Sequence, residues 1–428
     1  MTVIGHLKRA IERTAGVSLY RNAFYLMISP FVIAVLGFVF WVLAARIHSA
    51  EEVGLASATI AVASMLAVVA NLGLGPGMIR YLPRADSRAN EIVNSSLTLT
   101  SLVSIVAAVI FLAGLGVWSP KLVFLRENPG YIIAFIVFAC ANTLSILLSS
   151  TFVAWRRSEF FLANGLIAGV VKVPLLVLLV MLMDSFGIFA SWGIALSVAL
   201  LLCLFVFLPR VQNRYRPRIT VRWGVLKEMM RFSFANYVAN SLLVAPGFLF
   251  PLMVVNLAGA EANAYFYSAW LISSILFGLS TATSLSLFAE GSHDESALEA
   301  NVRRAVKLTF LILVPGVVLI VALADKVLLA FGDSYFQNAV VLLRTLAAAS
   351  AFVAVNNIFL GVMRVRKRLG VIVGLTSFLA IATLVLAYVL LPRLGISGVG
   401  VAFLASNGTV ALLVVGAYSR WRRRSSPE

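Results

Sequence analysis

The stretch PRVQNRYRPRITVRWGVLKEMMR, from Pro209 to Arg231, is the longest hydrophilic interval in the chain and lies close to its middle. It contains seven Lys and Arg residues against one acid, Glu228, and long apolar runs lie on both sides of it. Short loops rich in Lys and Arg are retained on the cytoplasmic face of a membrane. The stretch therefore predicts a cytoplasmic linker that divides the chain into two halves.

The composition predicts several membrane spans. Hydrophobic residues make up 61% of the chain and charged residues 12%, and the mean hydropathy is +1.00. A soluble fold of this length could not bury so much apolar surface. The net charge of +17 lies between the apolar runs, where it would contact anionic lipid headgroups, so nucleic acid is not an expected partner. Cys140 and Cys203 fall inside apolar runs and are expected to be packing residues.

Twelve runs reach or exceed the length of about 20 mainly apolar residues that a spanning helix needs. They lie at residues 22–45, 53–79, 92–117, 130–154, 160–183, 187–208, 232–257, 263–288, 305–324, 339–363, 369–391 and 397–419. With both termini inside, 27 of the 34 Lys and Arg residues lie in inside segments and 5 in outside segments, while Lys172 and Arg344 lie within spans. This alternation follows the positive-inside rule. The sequence thus predicts an all-α integral protein of the cell membrane with cytoplasmic termini.

The predicted organisation is two six-helix lobes joined by the basic linker. An even number of spans in each lobe gives both lobes the same orientation, as in parallel repeats. Residues 1–21 form a cytoplasmic lead in which apolar residues recur at helical spacing, as in a helix lying on the inner leaflet, although a frayed basic tail fits equally well. The other boundaries are 22–208 for the N-terminal lobe, 209–231 for the linker, 232–419 for the C-terminal lobe and 420–428 for a basic cytoplasmic tail.

Three stretches carry a family resemblance: ARIHSAEEVGLASATIAVASMLAVVANLGLGPGMIRYLP (Ala45 to Pro83), FGDSYFQNAVVLLRTLA (Phe331 to Ala347) and LPRLGISGVGVAF (Leu391 to Phe403). Together they resemble the polysaccharide-biosynthesis transporters, the O-antigen flippase branch of the multidrug/oligosaccharidyl-lipid/polysaccharide (MOP) exporter superfamily. That superfamily also contains multidrug and toxin extruders (MATE) and lipid II flippases. The resemblance implies a MATE-like fold that flips a polyprenyl-linked saccharide from the inner to the outer leaflet by alternating access. Lipid II flippases usually have fourteen spans, so twelve argues against that branch.

The placement of charge gives independent support for an anionic cargo. All 17 acids fall in predicted loops or at helix ends, whereas an exporter of cationic drugs is expected to place Asp or Glu at mid-membrane. The deep charge is instead Lys172, near the middle of the fifth span with roughly ten predicted span residues on either side. An ammonium there suits a phosphate or pyrophosphate. It could equally bond carbonyl groups that Pro174 releases from the helix.

Other candidate binding residues each have a structural alternative. Arg344, about a turn and a half inside the tenth span, could contact the cargo or reach outward to water. Arg21 and Arg80, at inner helix ends, could capture phosphate or act as anchors to the inner face. Asn236 and Asn240 lie four residues apart and hence on one face of the seventh span. They could line a hydrated sugar pathway or bond neighbouring helices, an ambiguity shared by Asn71, Asn142, Asn356 and Asn357.

Other classes of function are less consistent with the sequence. A membrane glycosyltransferase, polymerase or ligase would need a substantial loop, but the longest outward interval is about residues 325–338. The histidines His6, His48 and His293 are scattered, so no catalytic residue, metal or cofactor is expected. No nucleotide-binding domain for ATP-driven transport is encoded. A multidrug extruder and a non-transporting scaffold of an envelope-synthesis complex remain open. Expected partners are a polyprenyl-linked saccharide, anionic lipids, and glycosyltransferases or a polymerase of the same pathway.

Overall fold

Twelve long helices account for the apolar runs of the chain. The computed structural model describes residues 18–85, 88–179, 183–212, 215–293 and 298–425. Within these residues every regular element is helical, and twelve helices are long and apolar enough to cross a membrane. They are α1 (Ser18–Ile47), α2 (Ala50–Ala70), α3 (Ala89–Ala113), α4 (Pro129–Ala154), α5 (Ser158–Leu179), α6 (Asp184–Leu202), α7 (Trp223–Leu257), α8 (Ala260–His293), α9 (Leu298–Leu329), α10 (Asp333–Val365), α11 (Leu369–Leu394) and α12 (Ile396–Ser425). The predicted all-α membrane fold with twelve spans is confirmed.

The second span is interrupted, in contrast to the single helix predicted over residues 53–79. Helix α2 ends at Ala70, and a short helix follows at Leu74–Tyr81. Between them, Leu72 and Gly73 have φ angles of 52° and 74°, a left-handed conformation that no α-helix contains and that glycine adopts without steric strain. The side chain of Asn71 accepts a hydrogen bond from the Gly75 N–H at 3.1 Å. The glycine-rich stretch therefore forms a break in the span.

Helix α7 begins at Trp223, inside the stretch predicted to be linker up to residue 231. Lys227, Glu228 and Arg231 lie among the apolar residues of this segment and hid its helical pattern. Leu226 and Met229 are fully buried and pack in one cluster with Leu74 and Met78 of the short helix. Their spacing of three residues puts them on the same side of α7. The end of the predicted linker is therefore a helical turn anchored by apolar contacts.

The described remainder of the linker is bound to α3 by hydrogen bonds. The hydroxyl of Tyr215 donates to Asn94 Oδ1 at 2.7 Å, and Asn94 Nδ2 donates to the carbonyl of Arg216 at 3.0 Å. The N–H of Arg222 donates to Ser95 Oγ at 3.1 Å. Burial raises the pKa of Tyr215, which keeps its hydroxyl protonated as a donor. Residues 213 and 214 of the predicted linker lie outside the described residues.

The chain groups into two compact units by its internal contacts. Unit 1 comprises Met1–Ala44 and Val62–Tyr237, and unit 2 comprises Ala45–Ala61 and Val238–Glu428. Helices α1, α2 and α7 are thus each divided between the units, at points that differ from the predicted lobe boundaries. The division into lobes at residues 22–208 and 232–419 stays a prediction. Most of the predicted lead (residues 1–17) and the last residues of the tail (426–428) lie outside the described residues.

Aromatic packing stabilises unit 1. The rings of Phe111 on α3 and Phe135 on α4 stack with centroids 5.8 Å apart, and Phe135 stacks in turn on Phe189 of α6 at 5.9 Å. Tyr131 stacks on Phe186 at 3.8 Å. Because lipid tails are as apolar as the side chains, spanning helices associate through such close packing rather than through the hydrophobic effect.

Helix α10 lies at the centre of unit 2, where it packs against α8, α9, α11 and α12. The first residues of α2 join this unit through Asn263 of α8. Its amide nitrogen donates to the Gly54 carbonyl at 2.8 Å and to Ser57 Oγ at 3.0 Å. Arg46 donates to the carbonyls of Leu329 and Ala330, which satisfies acceptors at the end of α9. Side chains on α10 therefore face most helices of the unit.

Two equivalent turns support the expected repeat of six helices. Arg156 between α4 and α5 and Lys367 between α10 and α11 both have φ of 55°. In each turn the N–H of the next residue, Arg157 or Arg368, bonds the carbonyl five residues earlier, at 2.9 and 3.0 Å. This is the hydrogen bond of a Schellman-type helix end. The fourth and tenth helices thus end in the same way, with a left-handed basic residue.

Candidate functional site

A cavity of about 350 Å³ lies inside unit 2 between α7, α8, α10, α11 and α12. Its volume is within the range of small-molecule binding pockets. Asn407, which lines it, is 11 residues after the start of α12 at Ile396, or about 16 Å along the helix. That is close to half the thickness of a hydrocarbon core of about 30 Å. The cavity therefore lies at the depth where transporters bind their cargo.

Helix α7 borders the cavity with a helix-breaking pair, Pro246 and Gly247. Proline lacks the N–H that would bond within the helix. A Cβ atom on Gly247 would lie 3.3 Å from Cζ2 of Trp270, tighter than ordinary van der Waals contact. The glycine thus lets the indole of α8 approach the α7 backbone closely.

One wall of the cavity is aromatic. The ring of Trp270 meets Phe403 of α12 edge to face, with centroids 5.3 Å apart, and Phe277 lies 5.3 Å from Phe403. Behind the cavity, Phe266 stacks on Trp270 at 5.9 Å and fixes the indole. Such rings offer a flat apolar surface, and one with a fixed orientation suits the C–H face of a sugar ring.

The lining also carries amide side chains in a hydrogen-bond network. Asn356 Nδ2 donates to the backbone carbonyl and to Oδ1 of Asn407, at 3.1 and 3.2 Å. Asn407 Nδ2 donates to the Phe403 carbonyl at 2.9 Å. Asn357 Nδ2 donates to Ser280 Oγ at 2.9 Å. Because the backbone carbonyl of Asn407 can only accept, the orientation of the Asn356 amide is fixed, with its oxygen directed away from that carbonyl.

Two polar atoms of the lining have no hydrogen-bond partner among the described residues: Oδ1 of Asn356 and Oγ1 of Thr383. The two side chains are 2% and 1% exposed. Leaving a buried polar atom unpaired costs about 1–3 kcal/mol. Each of the two atoms therefore retains unused hydrogen-bonding capacity.

The described lining contains no charged side chain and no histidine. Its polar groups are asparagine and threonine side chains, and its remaining surface is aromatic or aliphatic. Amides and hydroxyls bind neutral polar groups, while the aromatic wall contacts apolar ones. The arrangement therefore suits an uncharged ligand that carries hydroxyl groups.

The cavity brings together some of the predicted polar residues. Asn240, Asn356 and Asn357 line it, but Asn236, one turn before Asn240 on α7, does not. The other predicted candidates lie elsewhere in the chain.

Lys172 of unit 1 lies over an aromatic ring. Its Nζ is 4.7 Å from the centroid of Phe40 on α1, a favourable cation–π distance. No described carboxylate lies within ion-pair distance of Lys172. Helix α5 is described from Ser158 to Leu179, with Lys172 in its second half. Its predicted contact with phosphate stays a prediction.

The three candidate arginines have different surroundings. Arg344 Nη2 donates to both carboxylate oxygens of Asp325 at 3.1 and 3.3 Å, an ion pair that joins α9 and α10. Arg80 stacks over the ring of Phe232, with 3.9 Å from Cζ to the ring centroid. Arg21 is exposed at the start of α1. These contacts account structurally for Arg344 and Arg80, and substrate roles for all three stay predictions.

Several lining residues were not predicted from the sequence. Asn407 had a usable signal, because an amide within an apolar run is costly without a partner. Trp270 had a weaker one, since tryptophan in spans is usually enriched at the membrane interfaces rather than at mid-depth. Phe403 and Thr383 gave none, because Phe and Thr are common at lipid-facing and packing positions alike.

Comparisons with known proteins agree with this architecture. The solved structure of the lipid II flippase MurJ in an inward closed conformation superposes with a TM-score of 0.73 at 11% identity, covering 92% of this chain and 87% of that chain. An inward-facing multidrug resistance MATE family transporter of the MOP superfamily gives 0.67 at 16% identity, covering 95% and 100%. A MOP superfamily transporter from Pyrococcus furiosus gives 0.64 at 16% identity, covering 95% of each chain. At these identities the likeness shows a shared fold, which confirms the predicted MATE-like architecture.

The sequence comparison adds the family. No curated protein matches the chain. A family model described as polysaccharide biosynthesis protein matches residues 19–282, which is more than half of the 428 residues. With its twelve membrane-spanning helices, the chain therefore belongs to the polysaccharide biosynthesis protein family.

Proposed function

We propose that the protein flips a polyprenyl-phosphate-linked oligosaccharide from the cytoplasmic to the outer leaflet by alternating access, for the synthesis of a cell-surface polysaccharide. The family membership and the fold shared with MOP transporters support transport. The observation that carries the proposal is the uncharged cavity of unit 2, which is lined by amide and hydroxyl groups together with aromatic rings. In this proposal the cavity holds a sugar residue of the cargo.

The cavity distinguishes this cargo from a cationic drug. A cation taken out of water is best compensated by a carboxylate, and the described lining contains no carboxylate. A neutral sugar needs hydrogen-bond partners for its hydroxyls and an apolar surface for its C–H groups. Asn356 Oδ1 and Thr383 Oγ1 supply unpaired partners, and Trp270 supplies the surface.

Lys172 is the proposed partner of the phosphate group. A lysine at the centre of a spanning helix costs about 2.5–3.5 kcal/mol on insertion scales, and the ring of Phe40 offsets a part of this. The ammonium remains without a described carboxylate partner, so it can add an anionic one. We place the protein in the cell membrane with cytoplasmic termini, where glycosyltransferases and a polymerase of the same pathway are its candidate partners. The protein itself performs no catalysis in this proposal.

Depletion of the protein tests the proposal in cells. Lipid-linked saccharide facing the cytoplasm should accumulate, and wild-type protein should clear it. Asn356→Leu, which replaces the amide by an apolar side chain of similar size, should fail to clear it. Asn338→Leu on the same helix is the matched control, because Asn338 is exposed and bonds only its own helix at Ser334. Depletion that raised drug sensitivity without accumulation would favour a multidrug extruder.

A further inference from the structure

A second opening in unit 2, of about 480 Å³, shares no lining residue with the cavity described above. It lies between the start of α9, the end of α10, the start of α11 and the end of α12. All four of these helix ends are at one end of the unit, the end that the distribution of Lys and Arg predicts to be cytoplasmic. We name this opening the inner groove.

The walls of the inner groove are apolar along their whole length. Helix α10 contributes Val355, Ile358 and Val362, and α9 contributes Val302 and Val306. Residues three and four apart share one helix face, so two continuous apolar stripes face each other across the groove. Val306 is 39% exposed, and in a membrane such a surface is covered by lipid.

The rim of the inner groove is basic. Arg366, which is half-buried, and Arg368, which is exposed, lie in the turn between α10 and α11 and line the groove. Glu299 is the acid of the described lining. Its Oε2 lies 3.7 Å from Nη2 of Arg303 on the same helix, so Arg303 balances its negative charge. The exposed Arg304 and Lys307 lie at the same end of α9 but do not line the groove. Among the described lining residues, two basic side chains therefore stand against one acidic side chain.

The length of the inner groove matches one leaflet of a bilayer. Its lining extends over 11 residue steps, from Val355 on α10 to Arg366 in the turn that follows, which is about 16 Å along a helix. Half of a hydrocarbon core is about 15 Å thick. A chain that lies along α10 with its charged group at Arg366 would thus end near mid-membrane, as the acyl chain of a phospholipid does.

We propose that the inner groove binds one anionic phospholipid of the cytoplasmic leaflet, with an acyl chain along α10 and the phosphodiester against Arg366 and Arg368. Guanidinium groups bind phosphate oxygens through paired hydrogen bonds. The match to one leaflet favours a phospholipid over a longer polyprenyl chain as the occupant. This site is separate from the cavity proposed to hold the sugar, so it does not depend on the identity of the cargo.

Lipid binding to the purified full-length protein tests this site. In native mass spectrometry of detergent-solubilised protein, phosphatidylglycerol should bind more tightly than phosphatidylcholine. The double variant Arg366→Gln/Arg368→Gln should bind phosphatidylglycerol roughly 25-fold more weakly, at about five-fold for each charge. The matched control Arg304→Gln/Lys307→Gln removes the same charge from the same end but alters no lining residue, and should bind normally.

A second pair of variants tests the apolar part of the inner groove. In Val306→Trp the larger side chain should fill the groove and abolish the binding of phosphatidylglycerol. Val318→Trp places the same side chain on the same helix at an exposed position outside the lining, and should leave binding unchanged. Equal losses in the variants and their controls would overturn the proposal. It would also be overturned if undecaprenyl phosphate bound to the groove in preference to phosphatidylglycerol.

Discussion

Thr383 shows at the level of one residue how a binding site can oppose stability. Its Oγ1 is buried at the cavity and has no described partner, so folding leaves a polar group without compensation. Replacement by valine removes that penalty and keeps the shape of the side chain. The residue is thus expected to contribute to cargo binding rather than to the fold.

The first prediction is that Thr383→Val separates stability from transport. The thermal midpoint of the purified protein should stay the same or rise. The corresponding gain in the free energy of unfolding is up to about 1 kcal/mol. The rate of saccharide flipping should fall about two- to ten-fold, which corresponds to the loss of one neutral hydrogen bond. Thr409→Val is the control, because Thr409 is exposed and bonds its own helix at Ala405. A variant with a lower midpoint and full transport would contradict this role.

The second prediction concerns the charge of Lys172. Lys172→Arg should retain partial function, because the charge survives although the larger guanidinium must be accommodated. Lys172→Gln should lose function, and Lys172→Glu should lose more, because a carboxylate repels phosphate. Complementation of a null strain at matched membrane expression measures this order, with Lys326→Gln at the exposed end of α9 as control. Wild-type activity of the Gln variant would show that the cation–π contact with Phe40 is the whole role of Lys172.

At the residue scale, the sequence identified the amides better than their surroundings. Asn240, Asn356 and Asn357 stood out because amides are rare in apolar runs, and all three line the cavity. Arg344 stood out as a charged residue within an apolar run, yet its guanidinium group is paired with Asp325. Trp270, Phe403 and Thr383 could not be selected, since only the packing of five helices decides which aromatic and hydroxyl side chains face inward.

At the scale of elements, the breaks in the helices were harder to predict than the helices. Apolar length is enough to place a span, and all twelve are present. The break at Leu72 and Gly73 depends on left-handed backbone that hydropathy does not register. The early start of α7 depends on Leu226 and Met229, whose apolar contacts were masked in the sequence by the charges beside them.

The third prediction concerns this break. Gly73→Ala should destabilise the protein by about 2–4 kcal/mol, because a left-handed alanine is strained and its Cβ would lie 2.9 Å from Cβ of Tyr237, where overpacking adds to the penalty. Tyr237 cannot easily move, since its hydroxyl donates to the Val69 carbonyl at 2.8 Å. Thermal midpoints at one fixed scan rate measure the effect. Gly37→Ala is the control, because nothing lies within 4 Å of its Cβ position, and it should be neutral or stabilising.

At the scale of the whole molecule, composition and the alternation of charge were sufficient for the fold class. The number of spans and the MATE-like fold followed from apolar runs and from loops rich in Lys and Arg. The cut points of the compact units within α1, α2 and α7 could not follow, because hydropathy does not show which neighbours a continuous helix contacts.

The fourth prediction is the orientation of the chain in the membrane. In a variant that lacks Cys140 and Cys203, a membrane-impermeant maleimide should label Glu261→Cys in intact cells but not Arg218→Cys. Both positions are exposed, so both should react after permeabilisation, which is the control. The physical reason is the retention of the seven basic residues of the linker on the inner face. Labelling of Arg218→Cys in intact cells would show that the linker lies outside the cell and would contradict the predicted orientation.

Flipping by the purified protein tests the central claim most directly. In vesicles with lipid-linked oligosaccharide in both leaflets, an impermeant endoglycosidase added outside cleaves only the outer pool unless the cargo crosses. With and without an imposed membrane potential, the wild-type protein and Asn338→Leu should expose the inner pool in at least one condition, while Asn356→Leu should not. Continued protection of the inner pool by wild-type protein in both conditions, or equal exposure by Asn356→Leu, would contradict a saccharide flippase that uses this cavity.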